Sequence, residues 1–284
     1  MKSLSKRLLL SGCALGLLLL AGCLGIGGKA HDLRGPGWQV GQQVRAIWLL
    51  SFESPATPDS PAQRFGINLS SQFKVLAVDA QQRLSRYAEQ IISDLRRLEI
   101  HVAGTAHKFS QRSLLEGQTL WYERKNGYWD KVLAGKDPTY EQYQTLLNLE
   151  AWLDDSSLYP ADPARVGHQW TLSGAELKPL LAGHITPSAG EATFTLEQVV
   201  EFRGEICALI KVNLKLTGKL GDEQENQGLQ LAMTLQGSYY RALQTGINLE
   251  GELNGDLALT GKAPPDLPVA AQGPLTLKFA NTLL

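Results

Sequence analysis

Residues 205–217, EICALIKVNLKLT, decide the fold because apolar and polar side chains alternate over their second half, residues 211–216. Val212, Leu214 and Leu216 are separated by asparagine and lysine. Successive side chains of a β-strand point to opposite faces of its sheet, so one face of this strand is predicted to be buried and the other solvated. A sheet with one solvated face is typical of antiparallel strands.

The same pattern continues on both sides of this strand, with glycine-containing breaks between the segments. Such punctuation indicates hairpin connections between antiparallel strands. The sequence therefore predicts an antiparallel β meander over residues 171–284. Its predicted strands are 193–202, 205–217, 228–240, 246–260 and 274–279.

Further strands are predicted upstream, at residues 44–52, 65–69 and 73–78. Residues 83–98 are ambiguous. Their apolar side chains recur at helical spacing, which favours an amphipathic helix. The polar run 78–84, VDAQQRL, instead has the composition of a turn between two hairpin strands.

A helix is predicted near residues 139–153. Asp137 is its expected N-cap, and Pro138 suits the first helical position. Asp154 and Asp155 are expected to end it. One apolar face is predicted to carry Tyr140, Tyr143, Leu146, Leu147 and Ala151. The predicted fold class is mainly β: an antiparallel meander, curved sheet or half-barrel with one or two helices.

The N-terminus has the three parts of an export signal. Lys2, Lys6 and Arg7 precede an apolar run over residues 8–20, which is shorter than the roughly 20 residues that span a bilayer. The run ends in Leu20-Ala21-Gly22-Cys23, which resembles the lipobox of bacterial lipoproteins. This resemblance implies that residues 1–22 are a signal peptide, cleaved between Gly22 and Cys23, and that Cys23 carries lipid.

A second lipobox-like sequence, Leu10-Ser11-Gly12-Cys13, leaves only residues 8–10 as an apolar core, so Cys23 is favoured. In double-membraned bacteria, the resemblance also implies that Leu24, in place of aspartate, directs the protein to the periplasmic face of the outer membrane. In a source with a single membrane, the implied location is the cell membrane.

Cleavage would leave 262 of the 284 residues, with 24 basic residues against 28 acidic ones. This balance does not favour nucleic acid or acidic lipid as a partner. Residues 23–37 are rich in glycine and are predicted to form a flexible tether. A β-rich N-terminal part is then predicted over residues 38–170, before the meander of residues 171–284.

The sequence carries none of the complete motifs of common catalytic or metal sites that we considered. The five histidines do not have zinc-ligand spacing, and there is no Gly-x-Ser-x-Gly elbow, phosphate loop or Cys-x-x-Cys. Ser71 and Lys74 match a Ser-x-x-Lys motif. Its partner motifs are missing, and a strand would point the two side chains to opposite faces of a solvated strand edge. We therefore predict no enzymatic activity, no cofactor and no metal.

For several other residues we prefer a structural role, such as core packing or a turn, to a role in catalysis or binding. Cys207 lies in an apolar run and is predicted to pack in the core. His168 is predicted to be a turn residue, and the acidic residues at 222–226 a solvated loop rather than a calcium site. The aromatic side chains Trp121, Tyr122, Tyr128 and Trp129 are interpreted as core and hairpin residues, with an exposed binding patch as the alternative.

Residues 159–170, YPADPARVGHQW, are the most distinctive run of the chain. They resemble a YP-x-x-P-x-x-x-G-x-x-W segment of uncharacterised β-rich envelope lipoproteins, in which an acidic residue usually occupies the position of His168. Leu115-Glu116-Gly117 resembles a segment that precedes it in those proteins. The resemblance implies a β-rich architecture without a reaction, and it favours strands over a helix at residues 83–98.

Two functions follow as hypotheses. The first is a lipid-anchored, non-catalytic binding or assembly module in the envelope, held to the membrane through Cys23. The second is a carrier of lipid or another apolar ligand in a half-barrel cavity closed by the helix at Tyr140. Expected partners are thus the membrane and an envelope protein or apolar ligand.

Overall fold

A computed structural model describes residues 28–284 except 58–60, 103–104, 148, 150, 152–154, 181–184, 221–228 and 264–266. Within these residues twelve strands form one antiparallel sheet, which confirms the predicted fold class. The strands are β1 (Gln43–Ser54), β2 (Ala62–Val78), β3 (Leu84–Val102), β4 (Thr105–Arg112), β5 (Thr119–Lys125), β6 (Tyr128–Leu133), β7 (Gln169–Ser173), β8 (Ile185–Phe202), β9 (Glu205–Leu220), β10 (Leu229–Ala242), β11 (Asn248–Ala263) and β12 (Leu267–Leu283).

The two predicted parts of the chain contribute to the same sheet. The strand order is β6-β5-β3-β2-β1-β12-β11-β10-β9-β8-β7, with β4 beside the second half of β3. The first and last strands pair at the centre, where Trp48 lies opposite Phe279. Consecutive strands are otherwise joined mostly by hairpins, as the meander prediction requires.

Strand β3 confirms the hairpin interpretation of residues 83–98. Its helical spacing has a partly geometric cause, because the pairing with β2 is interrupted by register shifts, including one between Ala77 and Val78 that leaves Ser85 without a partner residue in β2. Each bulge inserts a residue and thereby changes which residues face the core. The buried side chains Leu84 and Tyr87 consequently lie three residues apart, whereas Tyr87 and Ile91 lie four apart as two ordinary strand repeats, and together the spacings imitate a helix.

The helix α1 spans Tyr140–Leu147 and is shorter than predicted. Asp137 was wrong as the N-cap. Instead, Thr139 is the N-cap. The backbone N–H of Gln142 donates to Thr139 Oγ1 at 3.2 Å, and the backbone N–H of Thr139 donates to Gln142 Oε1 at 3.1 Å, which together form a capping box. At the other end Lys131 Nζ donates to the carbonyls of Leu146 and Leu147. A cation at this position satisfies terminal carbonyls that have no helical partner. The helix therefore ends at Leu147 and not at the predicted Asp155.

The alternation of residues 211–216 is confirmed by their burial. Val212, Leu214 and Leu216 are buried, whereas Lys211 and Lys215 are exposed. We call the face that carries these three apolar residues the inner face, and the opposite one the outer face. Both α1 and two short 3₁₀ helices, Ser156–Leu158 and Gly174–Leu180, bury side chains in the core of the inner face.

Glycines on the inner face allow neighbouring strands to coil tightly. A Cβ atom built at Gly237 would overlap the carbonyl oxygen of Glu252, and one at Gly255 would overlap that of Thr234. Only glycine tolerates such a close approach of two backbones. The curvature of β10 against β11 therefore depends on the absence of a side chain at these positions.

From His31 onward, the chain packs against the domain and does not form the flexible tether that the sequence predicts. His31 pairs with Ala164, and Leu33 is buried. Gly35 lies against Gly246, where a Cβ atom would approach the Gly246 Cα to 2.6 Å. We call residues 31–42 the strap. The strap crosses one end of the sheet, which we call the strap end, and reaches the β2–β3 turn, where the Trp38 amide donates to the Gln82 carbonyl at 3.0 Å.

Among the described residues, no helix has both the length and the apolar content needed to cross a bilayer.

Candidate binding surface

The inner face of the sheet is covered by packed side chains. Leu146 of α1 and Leu115 cover the half formed by β1–β6. Leu158, Tyr159 and Leu177 cover the half that contains β7–β10. The face that a half-barrel carrier would use for its ligand is therefore largely occupied by the protein's own core.

Two hollows in the described part of the chain lie away from this core. One, of about 320 Å³, is on the outer face around Gly66, between Leu49, Leu95 and Lys278. The other, of about 240 Å³, lies beside the strap at Val40. An apolar ligand on the inner face would require the covering segments to move.

A buried arginine holds the strap against the sheet. Arg241, at the end of β10, is 1% exposed. Its Nη1 donates to Asp155 Oδ2 at 2.9 Å and to Asn248 Oδ1 at 2.8 Å. Its Nε donates to the Leu33 carbonyl at 2.5 Å, and its Nη2 to the Arg34 carbonyl at 3.2 Å. The guanidinium thus joins two strands, the strap and the segment that follows α1.

Two buried tyrosines complete this network. The Arg241 guanidinium lies 3.8 Å from the centre of the Tyr159 ring, a cation–π contact. The Tyr159 and Tyr239 hydroxyls are 2.9 Å apart, and Tyr159 also donates to Asn248 Oδ1 at 3.0 Å. Burial raises the pKa of Tyr159 to about 12, against the opposing effect of Arg241, and burial also raises the pKa of Tyr239 well above its ordinary value. Both phenols therefore remain neutral at physiological pH.

Sequence reasoning missed this network because it assigned Asp155 to helix termination. One signal was nevertheless present. The alternation that places Leu231, Met233 and Leu235 inside also places Arg241 inside, since it is an even number of residues further along β10. An inward-facing arginine requires an acidic or carbonyl partner. The identity of that partner is set by tertiary contacts that the local pattern does not contain.

Helix α1 leaves most of its predicted apolar face in solvent. Only Leu146 of this face is buried, whereas Tyr140 is 74% exposed and Leu147 is 55% exposed. Tyr140, Tyr143 and Leu147 lie three and four residues apart, so they form one line along the helix. Leu114 is also exposed, and its carbonyl accepts a hydrogen bond from Gln142 Nε2 at 3.3 Å. We call Leu114, Tyr140, Tyr143 and Leu147 the α1 stripe.

The sequence predicts that the four aromatic residues of the β5–β6 hairpin are core and hairpin residues, with an exposed binding patch as the alternative. Two of them lie in the core and two are exposed. Tyr122 is buried and stacks on Tyr87, with ring centres 4.3 Å apart, and Trp129 is half-buried against Tyr87. Trp121 and Tyr128 are exposed. Strand alternation explains the division, because Trp121 and Tyr122 point to opposite faces.

The Ser-x-x-Lys residues lie in a strand, on opposite faces, as predicted. Ser71 is buried and Lys74 is exposed. The expected position at a solvated strand edge was wrong, since β2 lies between β1 and β3. His168 is an exposed turn residue, as predicted, and its ring stacks on Trp170 with centres 6.0 Å apart.

Cys207 is buried, as predicted, and its Sγ contacts the Phe202 carbonyl at 3.9 Å. Burial raises the pKa of the thiol, which lowers the fraction of reactive thiolate. Gly22, Cys23 and the acidic residues 222–226 lie outside the described residues. Within the described residues, no group of three or more histidine, cysteine or acidic side chains is arranged to hold a metal ion.

No protein-family model matches the sequence, and a comparison with curated proteins finds no match either. Among solved structures, the chain is similar to lipovitellin, from a structure of lipid–protein interactions in lipovitellin. The identity is 9% and the TM-score 0.44, and the match covers 87% of this chain and 26% of that one. A second match is the binding domain of botulinum neurotoxin DC in complex with rat synaptotagmin II. There the identity is 7%, the TM-score 0.14, and the coverage 83% and 78%. The chain thus spans about a quarter of the lipovitellin chain, and at these TM-scores neither likeness identifies a fold family or a ligand.

Proposed function

We propose that this protein is a lipid-anchored, non-catalytic binding module of the bacterial envelope, and that it binds another envelope protein through the α1 stripe. Acyl chains on Cys23 hold it at the periplasmic face of the outer membrane. The observation that carries the proposal is the exposure of four large apolar side chains on and beside one short helix.

The α1 stripe has the composition of an interface core. Tyrosine is enriched at protein interfaces because its ring buries a large area while its hydroxyl can still find a hydrogen-bond partner. Exposed apolar side chains are common when they are isolated, whereas adjacent ones mark binding sites. The helix is fixed at both ends, by its capping box and by Lys131, so the stripe is presented in a defined orientation.

The anchor is tested by the intact mass of the protein extracted from membranes. The wild type is expected to start at Cys23 and to carry acyl mass, because the sequence around Gly22 and Cys23 resembles a lipobox. A Cys23→Ser variant is expected to carry none and to leave the membrane fraction. A wild-type protein without acyl mass would show that the anchor is wrong.

The binding surface is tested by replacing Tyr140, Tyr143 and Leu147 together with serine. These side chains are exposed, so we expect the free energy of unfolding to change by less than about 1 kcal/mol. Cross-linking in cells, from a photoreactive amino acid placed at Leu114, is expected to yield a discrete adduct that the triple variant loses.

A matched control replaces three exposed polar residues of the outer face, Asn213, Thr234 and Gln236, with serine. This control is expected to keep the adduct. If both triple variants keep it, the α1 stripe is not the binding surface.

A second candidate, the carrier, is favoured by apolar side chains of the inner face that stay half-buried: Leu253, Leu257 and Leu259. A carrier purified from cells is expected to bring an apolar ligand with it. Native mass spectrometry of the Cys23→Ser protein, which has no acyl chains of its own, separates the two candidates. A stoichiometric apolar ligand would favour the carrier, and its absence the binding module.

A further inference from the structure

The strap limits how far the folded domain can lie from its lipid. Seven residues, 24–30, lie between Cys23 and His31, the first residue of the strap, so the connection has eight Cα–Cα steps. A fully extended chain covers at most about 3.6 Å per residue, so this connection reaches no further than about 30 Å. Through the paired strands, Arg241 lies level with Ala46 of β1, so the far end of β1 at Ser54 is about 26 Å further along the sheet at 3.3 Å per residue.

The connection is short because Arg241 holds the strap in place. If the strap were free, the chain would be anchored to the sheet only at Gln43, which is 20 Cα–Cα steps, or about 70 Å of extended chain, from Cys23. That length would allow every orientation of the sheet. The hydrogen bonds from Arg241 to the Leu33 and Arg34 carbonyls shorten the connection and therefore favour orientations in which the strap end lies nearer to the membrane than the opposite end.

Exposed apolar side chains lie at and beside the strap end. Val40 belongs to the strap itself. Val166 follows Ala164, which pairs with His31 where the chain leaves the domain toward Cys23. Ile206 follows the turn between β8 and β9, and its carbonyl accepts from the Leu243 amide of the β10–β11 turn. The three side chains are between 46% and 64% exposed.

We propose that the strap end faces the bilayer that holds the acyl chains of Cys23, and that Val40, Val166 and Ile206 contact its headgroup region. The proposal rests on the lipid anchor of the proposed function. Apolar side chains at loop tips gain free energy when they leave water for this region. In this orientation β1 stands away from the membrane, and its far end lies about 40 Å from the lipid surface.

The test compares fluorophores at two ends of the lipidated protein. A Val166→Cys variant places the label beside the strap, and a Thr57→Cys variant places it in the exposed segment after β1, at the opposite end. Cys207 is buried, and the unsubstituted lipidated protein measures background labelling. Each variant is reconstituted in phosphatidylethanolamine–phosphatidylglycerol vesicles that contain a lipid with a nitroxide headgroup.

We expect most of the fluorescence at residue 166 to be lost to quenching and that at residue 57 to be unchanged. A Val40→Cys variant gives a second position on the strap if the first does not fold, and quenching is expected there too. Equal quenching at both ends, or stronger quenching at residue 57, would overturn the proposed orientation. Intact mass on the same samples separates the two proposals. Acyl mass with equal quenching contradicts the orientation alone, whereas a protein that has no acyl mass and does not float with the vesicles contradicts both.

Discussion

Replacing Arg241 with alanine is expected to lower the free energy of unfolding by about 3 kcal/mol, the lower end of the cost of removing one partner of a buried ion pair, because the Asp155 side chain is 32% exposed. The substitution leaves the Asp155 carboxylate without its guanidinium and leaves the Leu33 and Arg34 carbonyls without donors. Buried acceptors that lose their partner pay the cost of lost hydration without compensation. The Arg241→Ala substitution also removes the cation over the Tyr159 ring.

Denaturant unfolding followed by tryptophan fluorescence measures this change. The matched control is Arg64→Ala, because Arg64 pairs with Glu53 at 3.3 Å on the surface, where its side chain is 62% exposed. Exposed pairs contribute about 0–1 kcal/mol, so the control is expected to stay close to the wild type. Equal effects of the two substitutions would show that the Arg241 network does not hold the fold together.

The Arg241→Ala variant is also expected to expose the strap before the rest of the domain unfolds. Segments held by few contacts open locally at a lower free energy than the whole protein. Trypsin should therefore cleave after Arg34 faster in the variant than in the wild type under native conditions, while Arg64→Ala shows no such change. N-terminal sequencing of the early fragment identifies the cleavage site.

Much of the sheet is predictable from the sequence because strand alternation is a local signal. In residues 211–216 each side chain indicates by its polarity which face it occupies, and the observed burial follows that pattern. The central β1–β12 pairing has no such signal, since Trp48 and Phe279 meet only after the chain has completed the whole meander. Bulges add a further limit, because in β3 they help to give buried residues the spacing of a helix.

The candidate surface was only half predictable, for a different reason. Helical periodicity identifies Tyr140, Tyr143 and Leu147 as one apolar face, but it does not say whether another element covers that face. The structure leaves these three residues exposed and buries Leu146, another member of the predicted face. Likewise, the glycines of residues 23–37 suggest flexibility, whereas Arg241, more than 200 residues later, fixes the second half of that segment.

Replacing Gly255 with alanine is expected to lower the free energy of unfolding by about 3 kcal/mol or more, at or above the upper end of the usual cost of overpacking. The new Cβ atom would overlap the Thr234 carbonyl oxygen, which belongs to the backbone of the neighbouring strand. A backbone atom cannot rotate away as the end of a side chain can. Either β10 and β11 separate locally and lose hydrogen bonds, or the sheet flattens and disturbs the inner-face core.

The matched control is Gly66→Ala in β2. There the nearest atom to a new Cβ is the Leu50 carbonyl oxygen at 3.6 Å, an ordinary contact. Alanine is also favoured over glycine inside a strand by about 0.5–1 kcal/mol, because glycine loses more backbone freedom on folding. The same chemical change is therefore expected to lower the free energy of unfolding at Gly255 and to leave it unchanged or raise it at Gly66. Equal changes at the two sites would mean that β10 and β11 are not coiled as tightly as this structure places them, because only that close approach distinguishes the two glycines.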